Sequence, residues 1–193
     1  MKYISLLLVT LLATTAFASE FDETLELAKK GDVVAQYNLG AMYDDGEGVS
    51  ENDALAVNWY RKAAEQGLTY AQHNLGVMYS NGRGVPENDA LAVKWFRKAA
   101  DQGLAAAQYN LGLMYASGEG VPENDALAVK WFRKTADQGD ADAQTNLGFM
   151  YATGKGVPEN NIRAYVWWSM AKTQGQTNAA KNIDILKTVM VKP

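Results

Sequence analysis

A period of 36 residues constrains this 193-residue chain more tightly than any other feature. The motif A-Q-x-N-L-G-x-M-Y begins at Ala35 and recurs at Ala71, Ala107 and Ala143. Leu39, Leu75, Leu111 and Leu147 keep register, as do Trp59, Trp95, Trp131 and Trp167, and all 17 glycines fall on the same lattice. Self-similarity at such a spacing marks a repeat architecture, in which each unit buries its apolar face against its neighbours instead of around one central core.

Each period reads as two helices. The first, A, carries Ala35, Leu39, Met42 and Tyr43 at i, i+4, i+7 and i+8, one apolar stripe. Gly40 interrupts it at a cost of about 1 kcal/mol relative to alanine. The same cost at Gly76, Gly112 and Gly148 implies close approach of a partner helix. A loop with glycines at 46 and 48 follows, suited to positive φ or close backbone contact, and its Val49 is expected to tuck beneath the helices. The second helix, B, starts after Asn52, a capping residue repeated at Asn88, Asn124 and Asn160, and ends at Gly67. Its face of Ala56, Trp59, Tyr60, Ala63 and Ala64 sets a large indole against small alanines, so the four periodic tryptophans are expected in the core.

The expected architecture is all-α: an α/α solenoid of four 36-residue helix-turn-helix repeats, 35–70, 71–106, 107–142 and 143–178. Capping helices are expected at both ends, in 19–34 and 179–193, because a terminal unit turns one face to water. In the last helix Ala179, Ile183 and Leu186 point inward by their spacing, and Asp184 replaces the lattice glycine.

The chain opens with Lys2, the apolar run Ile4 to Leu12 and then Ala16-Phe17-Ala18, the pattern of a secretory signal peptide cleaved after Ala18. That run is short of the roughly 20 residues a membrane span needs. With no cysteine there is no lipidation site of the lipobox type, and stability comes from packing instead of disulfides. The predicted location is periplasmic or secreted. Without the leader the chain has 17 basic and 22 acidic residues, alternating in sign. No basic stripe suits a phosphate backbone, so nucleic acid is not an expected partner.

The run L-G-x-M-Y-x-x-G-x-G-V-P, followed by A-x-x-W-x-x-K-A-A-x-Q-G, resembles the Sel-one-like repeat, a relative of the tetratricopeptide repeat. The resemblance covers residues 35–178; Ser50 stands where the pattern has proline, and asparagine where aspartate is common at the helix B cap. It implies a right-handed superhelix whose A helices line the concave side. It also implies an adaptor that binds a protein or peptide, here in the bacterial cell envelope, and expected to be monomeric. A cysteine-rich branch of the family is linked to β-lactam binding or hydrolysis; this chain lacks its paired cysteines. An envelope hydrolase of that type, or a structural or regulatory subunit of an envelope or host-interaction complex, stands as the alternative.

Chemistry has little to work with. His73 is the only histidine, so neither a metal cluster nor a Ser-His-Asp triad can be assembled around more than one imidazole. The Gly-x-Gly loops follow no strand and precede no P-loop lysine. No catalytic, metal or cofactor residue is therefore assigned. Partner-specific information should lie where the copies differ. The variable positions of helix A are Tyr37 and Ala41, His73 and Val77, Tyr109 and Leu113, Thr145 and Phe149, with Asp44 and Asn81 at helix ends. These ten are the candidate partner site, expected to form a ladder of aromatic and polar groups along the concave groove, with aromatic anchors of the kind that dominate interfaces. Drift at tolerant positions would leave the same pattern, and the convex face or the caps are the competing locations. The invariant glutamines (Gln36, Gln72, Gln108, Gln144) and asparagines (Asn38, Asn74, Asn110, Asn146) are expected to bond between repeats or to backbone.

Overall fold

The computed structural model describes residues 20–190; the leader expected over residues 1–18 lies outside them. Regular structure among the described residues is entirely helical: α1 (20–29), α2 (Val33–Asp45), α3 (Asp53–Glu65), α4 (Thr69–Asn81), α5 (Asp89–Asp101), α6 (Ala105–Ser117), α7 (Asp125–Asp137), α8 (Ala141–Thr153), α9 (Asn161–Thr173) and α10 (Thr177–Met190). Even-numbered helices are the A elements, and α3, α5, α7 and α9 are the B elements. The fold is all-α and solenoid-like, and within each unit the helix pairs in contact are consecutive in sequence. Two compact units divide it, Met1–Trp95 and Phe96–Pro193, the division falling inside α5. In the first, α3 packs on α2 and α4; in the second, α7 joins α6 to α8, and α9 joins α8 to α10.

The asparagine caps act as expected. Asn52 Oδ1 accepts from Leu55 N at 3.0 Å, Asn124 from Leu127 N at 2.9 Å and Asn160 from Arg163 N at 2.9 Å. Each cap also closes its loop, because its own backbone N–H donates to the tyrosine carbonyl near the end of the preceding A helix; Asn124 N to Tyr115 O is 2.8 Å. The expectation that Val49 tucks beneath the helices is met only as half-burial of that residue; its lattice equivalent Val85 packs on the core of the first unit.

The lattice glycine inside α2, α6 and α8 faces one aromatic ring of the following B helix. A Cβ on Gly40 would lie 2.6 Å from the Tyr60 ring, on Gly112 2.8 Å from Phe132, and on Gly148 2.5 Å from Trp168. The close approach inferred from the sequence is therefore real, and it is made by the residue after the periodic tryptophan. The tryptophans themselves divide. Trp95 and Trp131 are buried, but Trp59 and Trp167 are only half-buried, which corrects the expectation of four core indoles. Trp59 packs against the short α1 cluster around Ala28, a thinner cover than a full repeat. Lys130 and Lys134 lie over the ring of Trp131, at 5.7 and 4.6 Å. At Trp167 the corresponding residues are Val166 and Met170.

Polar ties run between successive helix pairs. The buried glutamines donate to carbonyls of the preceding helix, Gln72 Nε2 to Ala64 O at 3.1 Å and Gln108 to Ala100 O at 3.1 Å. Gln138 and Gln174 in turn donate to Gln108 and Gln144, at 2.7 and 3.0 Å. A buried carbonyl left without a donor costs about 1–3 kcal/mol, so the chain invests one invariant amide per repeat at this point. Arginines of the B helices reach the next tyrosine hydroxyl: Arg61 to Tyr79 at 3.0 Å, Arg133 to Tyr151 at 2.6 Å.

Candidate functional site

In the first unit, five of the six candidate residues there are half-buried and already engaged with the fold, and Asn81 is exposed. Tyr37 lies against Tyr60 and Tyr70, with ring centroids 5.7 and 6.5 Å apart, and Tyr37 and Ala41 both pack on the core. Asp44 pairs with Arg83 at 2.7 Å and accepts from the Tyr60 hydroxyl at 3.2 Å. Arg83 also holds Asp53 at 2.6 Å, so one guanidinium pins the second repeat's loop to both ends of the first repeat's loop. Burial, with Asp44 alongside, pushes the Tyr60 phenol above its ordinary range. Ala41 also lines a pocket of about 190 Å³ with Glu20, Thr24, Asn38, Met42 and Glu47.

His73 and Val77 are half-buried as well. Burial holds the His73 imidazole below its ordinary range, opposed by a contact from Nδ1 to Asn74 Oδ1 at 3.3 Å. The unfolded chain therefore takes up a proton first as pH falls. Stability from the neutral ring is complete above the unfolded value of about 6.5 and is lost as pH drops below it towards the folded value. Thermal melts at pH 7.5 and 5.5 should accordingly show a smaller loss of Tm in His73→Tyr, the residue type of Tyr37 and Tyr109, than in the parent. Equal losses would mean that burial of His73 does not matter to stability.

The second unit is different. Tyr109 packs on Phe132 at 5.9 Å and accepts from Asn146 Nδ2 at 3.2 Å; its phenol is raised by burial and by the nearby Asp142. Thr145 is spent on its own helix, donating to Ala141 O at 2.8 Å. Leu113 and Phe149, however, are exposed, at 39% and 48%. Together they line a pocket of about 220 Å³ with Ala116, Asp125, Phe132, Asn146, Met150 and Lys155. Phe149 also borders a second pocket of about 270 Å³, formed with Ala152, Thr153, Glu159, Asn161, Trp168, Asn182, Ile185 and Leu186. Ile185 is exposed too and stands one period after Phe149. The lattice that places Asp184 at the glycine position puts Ile185 at the position of Phe149, a match passed over when that helix is read only as a cap.

The arrangement offers two adjoining apolar pockets either side of one phenylalanine, edged by amides and a few charges. It offers no nucleophile–base pair, and among the described residues no group of His, Asp or Glu could hold a metal ion. Nor is any described helix long and apolar enough to cross a membrane.

Comparison with known proteins accounts for the period. The Sel1 repeat model matches residues 33–68, 69–104, 105–140 and 141–176. Among solved structures, a protective antigen present in uropathogenic Escherichia coli strains and displaying an SLR fold is 42% identical, with a TM-score of 0.80 over 82% of this chain and 34% of its own. A Sel1 repeat protein from Oxalobacter formigenes is 37% identical, with a TM-score of 0.79 over 88% of this chain and 50% of its own. The chain thus spans between a third and a half of the length of these two relatives. The cysteine rich protein B of Helicobacter pylori shares the fold at 24% identity and a TM-score of 0.51, over 65% of this chain and 90% of its own. The curated proteins gave no match. Sel1 repeats generally serve as non-catalytic scaffolds for protein interactions. Four contiguous matches cover most of the chain, and on that ground it belongs to the Sel1 repeat family.

Proposed function

We propose that this chain is a non-enzymatic scaffold of the bacterial cell envelope that binds a protein or peptide through its A helices, at the exposed apolar residues of α6 and α8. The observation that carries the reading is the pair of pockets flanking Phe149. Apolar side chains on a helix face that the helix pair does not need for its own packing are the usual material of interface anchors. The lattice position of Phe149 is apolar in every copy: Ala41, Val77, Leu113, Phe149 and Ile185. Within the second unit, Tyr109 and Thr145 then act mainly as supports beside Leu113, Phe149 and Ile185. The leader-like start supports export, as does similarity to a protein described as a protective antigen.

The test is affinity capture from envelope extract with residues 19–193, run beside Leu113→Glu/Phe149→Glu. These two side chains are exposed, so the variant should keep its helicity and Tm. A protein retained at least tenfold more strongly by the parent identifies the partner and its site. Equal retention by both moves binding away from the A helices and overturns the assignment. Purified protein hydrolysing a chromogenic β-lactam above a denatured control would overturn the non-enzymatic reading.

A further inference from the structure

The outer face of α9 differs from that of every other B helix. Ile162, Tyr165, Val166 and Met170 stand exposed along it, at 70%, 42%, 49% and 43%. The lattice equivalents in α7 are Ala126, a buried Val129, and two exposed lysines, Lys130 and Lys134. In α5 Lys94 and Lys98 hold the same two places, also exposed. Both lysines have thus become apolar in the fourth repeat. The change is paired with a second one. The B helices α3, α5 and α7 begin with aspartate and end with a carboxylate, whereas α9 begins with Asn161, ends with Thr173 and carries no acid. Its charges are Arg163 and Lys172, both on exposed residues.

We infer that this face is a second docking surface, separate from the A-helix row, and that it receives an amphipathic helix whose apolar stripe is flanked by carboxylates. Ile162, Val166 and Met170 form one i±4 ridge, the shape that fits between the ridges of another helix. Eight residues at 1.5 Å each make a ridge of about 12 Å, or two turns of a partner. Charge selects the occupant. The helix has no acid of its own, and Lys172 is exposed near one end. Arg163 near the other donates to the Tyr151 hydroxyl at 3.1 Å while its residue stays exposed, so an acidic helix finds complementary charge there. A second copy of α9 would bring further cations and no carboxylate. On the adjacent α10, Asp184 and Lys187 are paired to each other at 3.7 Å. In the loop before α9, Glu159 accepts from Asn161 at 3.5 Å, while Lys155 lines the pocket beside Leu113 and Phe149.

The experiment uses a fluorescent designed helix of 20 residues, leucine at its a, d and e positions and glutamate beside them, with a twin in which lysine replaces each glutamate. Anisotropy is read against the full chain, Val166→Lys/Met170→Lys and Leu113→Glu/Phe149→Glu. The double lysine variant restores residues that α5 and α7 already tolerate, so its helicity and Tm should match the parent. The acidic helix should bind the parent and the A-helix variant equally. It should bind the double lysine variant at least tenfold more weakly, and its lysine twin should bind the parent at least tenfold more weakly. Any of four results overturns the proposal: equal affinity for the lysine variant, equal binding of the lysine twin, no binding of the acidic helix, or loss of binding in the A-helix variant. A parent that sediments as a dimer and a lysine variant that sediments as a monomer would assign the face to self-association instead.

Discussion

Gly156→Ala should destabilise the protein by about 3 kcal/mol or more, and Gly139→Ala by only about 1 kcal/mol. Both glycines have positive φ, +66° and +95°, so both substitutions carry left-handed strain. They differ in what surrounds them. Nothing lies within 4 Å of a Cβ on Gly139, whereas a Cβ on Gly156 would overlap the backbone carbonyl of Asp125 and come within 2.7 Å of Ala126 N. Backbone cannot rotate aside as a side chain can. The loop after α8 would have to lift from the start of α7, loosening the contact that joins consecutive repeats. Urea melts of the two variants check the contrast; equal losses would mean that the loop shifts freely and that only φ matters.

Trp168→Ala should cost about 4 kcal/mol, within the range for removing a buried tryptophan. Three losses combine at this position. The side chain is 4% exposed, its Nε1–H donates to Thr145 O at 2.9 Å, and its ring fills the space that Gly148 leaves open. Truncation would leave a cavity flanked by a residue with no side chain to collapse into it. Trp168→Phe restores the ring type of Phe132 in the preceding repeat and should cost much less, about 1–2 kcal/mol, chiefly the hydrogen bond. Thermal denaturation ranks the two, and a phenylalanine variant as unstable as the alanine one would show that the indole N–H, not the packing, dominates.

Much of the framework was legible because repetition supplies its own comparison. A glycine such as Gly40 costs a helix stability wherever it stands, so its recurrence at Gly112 and Gly148 in the sequence alone points to a close approach. The asparagine caps and the inward set Ala179, Ile183 and Leu186 followed from spacing alone, and all three of these residues are buried. Tyr37 and Tyr109 were harder. Variability marked them as free to differ, but only tertiary contacts reveal that each leans on a B-helix ring and leaves little surface to a partner. Variability measures what the shared core tolerates, and a half-buried support tolerates as much as an exposed contact.

The sequence by itself determined the period, the helix pairs, their caps and the glycine at each close approach, because those depend on residues a few turns apart repeated in register. Only the tertiary structure decided which apolar residues remain in water. Leu39 and Phe149 look alike in a hydrophobic pattern, yet one is sealed and the other is half exposed. The difference is what the neighbouring helices cover, and that depends on residues brought together from separate repeats. The same holds for α9, where Val166 and Met170 are unremarkable letters until the lysines at their lattice positions are seen to face solvent.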